Sequence, residues 1–368
     1  MAADSESFVC LEDFEKSARK HLLQSRVDYF TDGCNEQFTL KENIEAFKRY
    51  RLRPRLLRDV SKIDLSTTLL GQHIFWPVGV SPTAFHRIAD YAEGEKATAR
   101  ATHSEGSVMI LSCASTCTIE DVATASASGI LWMQVMFFKR REITESLVKR
   151  AEAAGFKAIV VTIDQPVFGK KYSIDKNKTS VWFKLHAHER PVNLNLGIKD
   201  KGGEIAATLD RTATWEEIKW LKSITNLPLV LKGITTGDQA RNAVEHGASG
   251  ILVSNHGGRQ LDYLPATIDV LPEVVAAVEG SGVEVYLDGG VRHGTDVFKA
   301  LARGARAVFI GRPIIWGLTC KGYEGAKQVL SILREEVNTT MSLMGCTNVN
   351  EIAPSMVVHE DYFRKSKL

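Results

Sequence analysis

Eight short apolar runs rich in Val, Ile and Leu recur along the chain, and a polar or glycine-containing turn follows each of them. Near-continuous apolar runs of this length are typical of parallel strands that are buried on both faces. Residues with helical spacing fill most of the intervals, for example at 142–155, 236–247 and 294–304. The runs occupy residues 76–84, 107–113, 131–136, 158–164, 227–233, 250–256, 284–290 and 307–313.

This alternation of strand and helix predicts an α/β fold, a closed (β/α)8 TIM barrel. Parallel strands need crossover helices, and eight such units fit a closed barrel better than an open sheet. An open doubly wound sheet is the alternative, but no GxGxxG motif follows the first strand. We expect a single domain over residues 1–368, made of a helical extension (1–75), the barrel (76–352) and a C-terminal tail (353–368).

The stretch from about residue 165 to residue 226 is far longer than the other connections and lacks a clean period at its centre. An insertion of that length in a compact domain is usually a functional lid or a disordered segment. We therefore expect a mobile lid after the fourth strand, in which Trp182 and Phe183 either cover the substrate or only pack the loop. His186 and His188 have no third ligand nearby in the sequence, so we predict no metal site.

The overall composition gives no reason to expect a nucleic acid or an anionic membrane as the main partner. The chain carries 46 basic and 44 acidic residues, a formal net charge of +2, and its hydrophobic share of 44% is ample for a packed core. No apolar run approaches the roughly 20 residues that span a bilayer, and the polar N-terminus does not resemble a secretory signal. The six cysteines are scattered without a CxxC pair, which favours reduced thiols inside a cell.

The chain ends in Ser366, Lys367 and Leu368, the tripeptide that the peroxisomal import receptor reads as an address. It stands at the C-terminus after the polar stretch HEDYFRKSKL, which we expect to be a mobile tail. An accidental match of three residues is the alternative. The ending predicts a peroxisomal location, with the import receptor as a partner.

Polar or glycine residues stand where each predicted strand ends. In a barrel of this class the active site lies at the C-terminal ends of the strands, so these residues are functional candidates. Any one of them could instead cap a helix or satisfy a turn. In strand order they are Pro82, Thr83 and Ala84; Ser112; Gln134; Thr162 and Asp164; Lys232; His256 and Arg259; Asp288, Gly289 and Gly290; and Gly311 and Arg312.

The last two strand ends predict a phosphate site. DGGVRHG and FIGRP place glycines and an arginine after strands 7 and 8, where this fold commonly binds phosphate. Arg292 and Arg312 can grip phosphate oxygens with planar forks. Lys232 follows four apolar residues, where a lone ammonium is costly, so it should face an anionic partner.

The loop after strand 6 carries the candidate acid or base. His256 is the natural choice, because only imidazole has an unperturbed pKa near neutrality. Arg259 lies beside it and suits a carboxylate. The structural alternative is a histidine bonded to a neighbouring carbonyl, but the surrounding Asn, Gly-Gly, Arg and Asp favour a functional role.

Four motifs resemble those of the FMN-dependent α-hydroxy acid oxidase family, which includes glycolate oxidase and long-chain hydroxy acid oxidases. They are SPTAF (81–85), SNHGGRQLD (254–262), LDGGVRHGTDVFKAL (287–301) and FIGRP (309–313), and the similarity runs from about Phe8 to Cys346. The resemblance implies FMN as cofactor and oxidation of an (S)-2-hydroxy acid to the 2-oxo acid, with dioxygen reduced to hydrogen peroxide. Family members are usually homotetramers, and eukaryotic oxidase members are typically peroxisomal.

The resemblance also implies roles for individual residues. His256 takes a proton from the substrate, Asp164 pairs with the resulting imidazolium, and Lys232 stabilises negative charge on the reduced flavin. Tyr29 and Arg259 hold the substrate. The residues that match the flavin site are Pro82, Thr83, Ala84, Ser112, Gln134, Thr162, Lys232, Ser254, Asp288, Gly289, Gly290, Val291, Arg292, Gly311 and Arg312.

Three positions depart from the family pattern on the substrate-binding side. Met136 stands where the family has a second tyrosine, Lys171 where it has a second arginine, and Ala114 where glycolate-oxidising members have tryptophan. A lost hydrogen bond to a charged partner costs on the order of 1.5–3 kcal/mol. We therefore expect a preference for acids bulkier than glycolate.

Other functions remain open on the sequence alone. One is a flavin-binding protein with weak or no oxidase activity, because Met136 and Lys171 replace substrate-binding residues. Another is a family member that passes electrons to an acceptor other than oxygen. An FMN-class isopentenyl diphosphate isomerase shares the barrel, but the loop from His256 to Arg259 does not suit it.

Overall fold

The computed structural model describes residues 7–172, 186–194 and 208–365. Eight parallel strands form one closed barrel, because the last strand pairs with the first. This arrangement confirms the predicted (β/α)8 TIM barrel and rules out the open sheet. The strands are β1 (Val78–Val80), β2 (Val108–Leu111), β3 (Ile130–Val135), β4 (Ala158–Thr162), β5 (Leu229–Ile234), β6 (Gly250–Val253), β7 (Glu284–Asp288) and β8 (Ala307–Ile310).

Helices surround the barrel on its outer face. Thr118 and Thr236 begin two of them, since their side chains accept hydrogen bonds from the backbone N–H groups of Asp121 and Gln239. The last helix is broken near Gly322, where the backbone leaves helical geometry. The helices are α1 (Glu95–Ser104), α2 (Ile119–Ala125), α3 (Arg141–Ala153), α4 (Glu216–Ser223), α5 (Gly237–Glu245), α6 (Thr267–Ala277), α7 (Gly294–Ala302) and α8 (Arg312–Met344).

The barrel has an apolar interior distinct from the apolar layer between strands and helices. Trp132, Tyr286 and Phe309 fill much of this interior, with ring centroids 5.6 to 5.8 Å apart. Gly79 in β1 makes room for them, because a Cβ atom there would lie 2.5 Å from the Phe309 ring. Small and large residues on neighbouring strands thus complement each other, as close packing requires.

The N-terminal extension is helical only as far as Arg49, so the prediction of a helical segment to residue 75 is wrong in its second half. Its helices span Leu11–His21, Gln24–Thr31 and Phe38–Glu45, followed by a 3-10 turn at Ala46–Arg49. A hairpin of two short strands follows, Thr67–Leu69 and Gln72–Ile74. Side chains of the hairpin, including Leu69 and Ile74, pack into the barrel interior and close its N-terminal end.

The C-terminal tail is also more ordered than predicted. Strand Val357–His359 pairs antiparallel with Tyr50–Leu52, and a short helix follows at Asp361–Lys365. The polar sequence of the tail did not reveal this strand, because three residues are too few to show an alternation of apolar and polar positions. Two 3-10 turns, Val349–Glu351 and Pro354–Met356, precede that strand.

The long connection after β4 is described only in part. Residues 173–185 and 195–207 lie outside the described residues, as do residues 366–368, so the expected lid with Trp182 and Phe183 and the C-terminal tripeptide are not placed. The described piece 186–194 contains a 3-10 turn, Ala187–Glu189. Asn193 ties this piece to the barrel, since its side chain donates to Ser115 Oγ at 2.7 Å. Within the three described ranges, no helix is both long and apolar enough to cross a membrane.

Candidate active site

The polar site residues are the last inward-facing positions of the strands. Side chains alternate between the two faces of a strand, so every second residue points into the barrel. Trp132 in β3 lies in the apolar interior, and Gln134 follows two positions later. Val230 and Lys232 repeat the pattern in β5. The same alternation that fills the barrel with apolar side chains therefore brings polar groups together at its C-terminal end.

A cavity of about 450 Å³ opens at this end of the barrel. Its wall includes every residue that the sequence assigned to the flavin except Ser254, and the four assigned to the substrate, Tyr29, Met136, Lys171 and Arg259. His256 and Lys232 of the proposed catalytic set also line it. Side chains from the barrel, the N-terminal extension and the long connection thus meet in one space.

Two predicted residues stand behind the cavity wall. Ser254 is fully buried, and its hydroxyl accepts a hydrogen bond from the His256 backbone N–H at 3.1 Å. Asp164 lies behind His256, and its Oδ1 is 3.1 Å from Nδ1 of that imidazole. Both residues therefore support His256 in this structure.

The loop that carries His256 has an unusual backbone. His256, Gly257 and Gly258 all have positive φ angles, of 57°, 64° and 73°. Glycine adopts this region freely, whereas histidine does so at a cost, and such strain concentrates at functional sites. The two glycines let the chain turn sharply, so that His256 and Arg259 face the same cavity.

The surroundings of His256 favour a neutral imidazole paired with a charged carboxylate. Burial, together with the positive charge of Lys232, lowers the pKa of His256. Burial acts to raise the pKa of Asp164, but the nearby His256 and Lys232 outweigh it and hold that pKa below its usual value. Asp164 is therefore ionised near neutral pH, whereas His256 is able to accept a proton.

Arg259 is held against the C-terminal end of helix Gln24–Thr31. Its Nη1 donates to the backbone oxygens of Tyr29 at 2.8 Å and Asp32 at 3.1 Å, and its guanidinium lies over the Tyr29 ring at 5.2 Å. A helix C-terminus carries partial negative charge, which suits a cation. Guanidinium has five N–H donors, so this attachment leaves others for a ligand.

The three departures from the family pattern all lie on the cavity wall. Met136 and Ala114 are buried, with 7% and 8% of their surface exposed, and they add apolar surface beside Tyr29. Burial and the neighbouring Arg259 lower the pKa of Lys171 to about 7. The ammonium of Lys171 is therefore easily lost when no anion is close.

On the opposite side, buried polar side chains join one strand end to another. The Gln134 amide accepts from the Cys113 N–H and donates to Thr162 Oγ1, each at 3.0 Å. Ser81 donates to Asp288 Oδ2 at 3.0 Å. The other carboxylate oxygen of Asp288 is buried without a hydrogen-bond partner among the described residues. An unpaired buried oxygen on the cavity wall suits the hydroxyl donors of a ribityl chain.

The arginines at the ends of β7 and β8 make the fit to a phosphate specific. Burial lowers the pKa of Arg292, and burial together with Arg259 and Arg292 lowers the pKa of Arg312 to about 9. Crowded guanidinium groups need an anion, and a phosphate group supplies one. Gly289 and Gly290, with φ angles of 96° and 83°, line the same cavity, and a Cβ atom on Gly290 would lie 1.9 Å from the backbone oxygen of Asn43. The residues present fit FMN.

Arg312 is also attached to the protein backbone. Its Nε donates to the Phe30 oxygen at 2.8 Å and its Nη1 to the Gly257 oxygen at 3.0 Å. Sequence reasoning assigned Arg312 only to the phosphate. The structure shows that this side chain also links the β6 loop to the N-terminal extension.

Further contacts bind the β6 loop to the N-terminal extension. The carboxylate of Asp262 accepts from the backbone N–H groups of Glu36 at 3.0 Å and Thr39 at 2.9 Å, at the start of helix Phe38–Glu45. The amides of Asn43 and Asn255 donate to each other, both at 2.8 Å. The extension is thus part of the site.

Sequence reasoning missed several residues of the cavity wall. Gln260 and Gly169 belong to it, as do Phe85 and Phe168. The sequence contained one usable signal, since Gln260 follows Arg259 directly within SNHGGRQLD. Its partners lie about ninety residues away in the sequence, with separations of 91 to 96, and no periodicity reveals such pairs.

Comparison with protein families gives one match to most of the chain. The protein family described as FMN-dependent dehydrogenase matches residues 18–359. The chain is similar to 2-hydroxyacid oxidase 1 of Homo sapiens, with 48% identity over 361 residues that cover 95% of this chain and 96% of that protein. It is 46% identical to a peroxisomal (S)-2-hydroxyacid oxidase of Arabidopsis thaliana over 366 residues, which cover 99% and 100% of the two chains.

Solved structures give a matching fold. The crystal structure of mandelate oxidase with (S)-2-phenylpropionate has a TM-score of 0.86 and 37% sequence identity to this chain. The match covers 95% of this chain and 98% of that one. A mandelate oxidase variant with (S)-mandelic acid has a TM-score of 0.87, with the same identity and the same coverage of both chains.

Proposed function

Since this chain belongs to the FMN-dependent family of 2-hydroxy acid oxidases and its cofactor is FMN, we propose that it oxidises an (S)-2-hydroxy acid to the 2-oxo acid and reduces dioxygen to hydrogen peroxide. Two hydrogens leave the substrate, one from the hydroxyl and one from Cα, and both end in the peroxide. Bound FMN supplies the acceptor for the hydride equivalent from Cα. The observation that carries the proposal is His256, 3.1 Å from Asp164 and in one cavity with Arg259.

His256 is suited to take the hydroxyl proton. When its Nδ1 donates to Asp164, Nε2 is the nitrogen that accepts a proton. The imidazolium formed in this way lies beside an ionised carboxylate, which stabilises the charge. Asp164 therefore holds both the orientation of the ring and the charge that develops on it.

The substrate carboxylate would face the cations on the other side of His256. Arg259 offers planar N–H donors, and Lys171 adds a positive charge from the long connection. Tyr29 lines the same wall, and burial raises the pKa of its phenol to about 12, so the hydroxyl stays protonated. A phenol that keeps its hydrogen can donate to the carboxylate.

The cavity supports a substrate bulkier than glycolate. Ala114 and Met136 give the substrate side an apolar wall and leave the space that a tryptophan at 114 would fill. Apolar surface buried by a longer side chain stabilises its complex by about 25 cal/mol per Å². Glycolate, which has no side chain, gains nothing from this wall.

Anaerobic mixing of the holoprotein with a panel of (S)-2-hydroxy acids tests the proposal. We expect the absorbance of the oxidised flavin to bleach, and peroxide to form in equal amount to the acid oxidised when air is admitted. Across a chain-length series from glycolate to 2-hydroxyoctanoate, kcat/KM should rise with length. Glycolate as the best substrate would refute the size preference but not the oxidase activity.

A flavin-binding protein with weak or no oxidase activity is the second candidate. The replacement of a tyrosine by Met136 and of an arginine by Lys171 is the observation that favours it. It predicts no bleaching by any acid on the panel. Bleaching without peroxide release would instead indicate an electron acceptor other than oxygen.

We also propose a peroxisomal location and a tetrameric assembly. The tripeptide 366–368 and the similarity to a peroxisomal (S)-2-hydroxyacid oxidase of Arabidopsis thaliana support the location. Fluorescence imaging should place the full chain in peroxisomes and a chain without residues 366–368 in the cytosol. Sedimentation of the holoprotein tests the assembly, and a monomer at micromolar concentration would contradict it.

A further inference from the structure

One side chain clamps the start of the long connection to the β6 loop. The Gln260 amide nitrogen donates to the backbone oxygens of Val167 at 2.8 Å and Asp164 at 3.2 Å. Its oxygen accepts from the Gly169 N–H at 3.1 Å. The donors and the acceptor of this amide are therefore all directed at one short segment, residues 164–169.

The two backbones also touch at Gly169. A Cβ atom on Gly169 would lie 2.4 Å from the backbone oxygens of both Arg259 and Gln260. No real Cβ contact is that short, so any other residue would push the two segments apart. Gln260 thus holds the segment at the shortest distance that the backbone allows.

A second clamp, made by Asn35, holds the residues on either side of Lys171. The Asn35 N–H donates to the Lys170 oxygen at 2.9 Å, and the Asn35 side chain donates to Tyr172 Oη at 3.0 Å. The neighbouring Cys34 N–H donates to the Gly258 oxygen at 2.7 Å. Lys171 therefore lies between two attachments, and both lead back to the β6 loop that carries His256 and Arg259.

We propose that Gln260 is a positioning residue for substrate binding, which holds Lys171 in the cavity beside Arg259. The inference rests on the proposed function, since it assigns both cations to the substrate carboxylate. Two like charges in one partly buried site repel each other, and the lysine side chain has many other conformations. An attachment of the backbone next to Lys171 opposes both tendencies.

The chemistry of the clamp requires an uncharged amide. A glutamate at 260 would keep an acceptor for the Gly169 N–H, but it would lose both donors and place negative charge against two carbonyl oxygens. A methionine would keep the length and lose every hydrogen bond. Gln260→Glu and Gln260→Met therefore remove the clamp in two different ways.

The test separates binding from turnover in the FMN-loaded protein. For Gln260→Met we expect KM for (S)-2-hydroxyoctanoate to rise about tenfold or more, with a smaller change in kcat, because hydrogen bonds of this kind are worth about 0.5–1.5 kcal/mol each. The dissociation constant of 2-oxooctanoate, measured from the shift it causes in flavin absorbance, should rise in parallel. Gln260→Glu should show at least the same loss.

A double-mutant cycle with Lys171→Met tests the route of the effect. If Gln260 acts through Lys171, Gln260→Met should change the dissociation constant less than twofold once the lysine is absent. The inference would be overturned if the increases in the dissociation constant multiplied in the double variant. It would also be overturned if the dissociation constant of each single variant stayed within twofold of that of the parent. Binding of 2-oxooctanoate needs no turnover. The cycle therefore tests the role of Gln260 even if the parent protein oxidises no acid.

Gln239→Met is the matched control. Gln239 is also half-buried and also holds a loop, since its Oε1 accepts from the Thr235 N–H at 2.9 Å, but it does not line the cavity. We expect it to leave KM and the dissociation constant unchanged. If Gln260→Met does not fold, Gly169→Ala tests the same contact from the other segment and should raise KM with little change in kcat.

Discussion

The two sides of the cavity are built from different kinds of contact. On the flavin side, made by Ser81, Gln134, Asp288, Arg292 and Arg312, the polar groups join one barrel strand end to another or crowd around a phosphate position. On the substrate side, made by Tyr29, Ala114, Met136, Lys171 and Arg259, the residues come mostly from loops and the N-terminal extension. Substitutions on the substrate side can change which acid is bound while the flavin side stays the same, because loops tolerate substitution better than strands do.

The largest effect should come from His256, where the two sides meet. We expect His256→Gln to lower kcat/KM about 10²- to 10⁴-fold while FMN content stays unchanged, because the variant loses the base but no flavin contact. Stopped-flow flavin reduction and the flavin-to-protein absorbance ratio measure the two quantities. His246→Gln is the control, since His246 Nδ1 lies 2.7 Å from the Asn242 oxygen and the residue is not part of the cavity wall. A His256 variant within tenfold of the parent would remove His256 from the mechanism.

Next in size should be a variant that breaks the flavin side alone. Arg292→Met should weaken FMN binding about tenfold to a hundredfold, because it removes a charged donor to the phosphate worth about 1.5–3 kcal/mol. Titration of the apoprotein with FMN measures the dissociation constant. Arg306→Met, which removes an arginine from the opposite end of the barrel where it bonds Thr68, should leave that constant unchanged. Equal FMN affinity in both variants would contradict the phosphate site.

The pH dependence of kcat/KM should distinguish this protein, with lysine at position 171, from a protein with arginine there. Lys171 has a pKa of about 7 in the free protein, so its charge is present below that pH and lost above it. We expect kcat/KM to fall about tenfold per pH unit at most as pH rises above 7. Lys171→Arg should abolish this fall, because guanidinium stays charged. A profile identical in both proteins would show that Lys171 does not contact the substrate.

The acid limb of the same profile reports on the catalytic pair. Burial and the positive charge of Lys232 hold the pKa of His256 below its ordinary value, so the imidazole becomes protonated only at a lower pH than an ordinary histidine does. Activity should therefore persist to lower pH than for an unperturbed histidine. Asp164→Asn should abolish this limb or shift it, and an unchanged acid limb would show that another group controls it.

The smallest expected effect is a gain on the substrate side. Met136→Tyr restores a phenol beside the cations. An introduced phenol should recover only part of the about 1.5–3 kcal/mol that a hydrogen bond to a charged partner contributes, so kcat/KM for glycolate should rise by up to about tenfold. Met136→Phe differs from it only by the hydroxyl and should give no gain. Steady-state peroxide release measures both. Equal values for the two variants would mean that the missing hydroxyl is not what limits glycolate.

The sequence predicted those parts of the fold that depend on periodicity. Strands β1 to β8 were predicted from apolar runs, and the C-terminal ends of those runs led directly to Gln134, Thr162 and Lys232. The pairing of Tyr50–Leu52 with Val357–His359 was not found, because each strand has three residues and about three hundred residues separate them. Such pairings depend on tertiary contacts that no local pattern encodes.

The same limit applied to the site. Asp164 was predicted from its place at the end of the fourth strand and received its role from the resemblance, although it lies behind His256 and not on the wall. Gln260 and Asn35 were missed, because their importance comes from backbone atoms that they bind, and backbone atoms look alike in any sequence. A residue that acts through the chemistry of its side chain can be predicted from its residue type. A residue that holds another segment in place can be recognised only from the three-dimensional structure.

The attachment of the N-terminal extension to the β6 loop bears on how the protein acquires its activity as it is made. Asp262 binds backbone groups 223 to 226 residues earlier in the chain, and Asn43 precedes its partner Asn255 by 212 residues. Contacts between such distant residues form slowly, because a long loop must close first. The extension therefore leaves the ribosome long before its partners exist. The flavin site can be completed only after synthesis has passed Arg312, the last residue assigned to it.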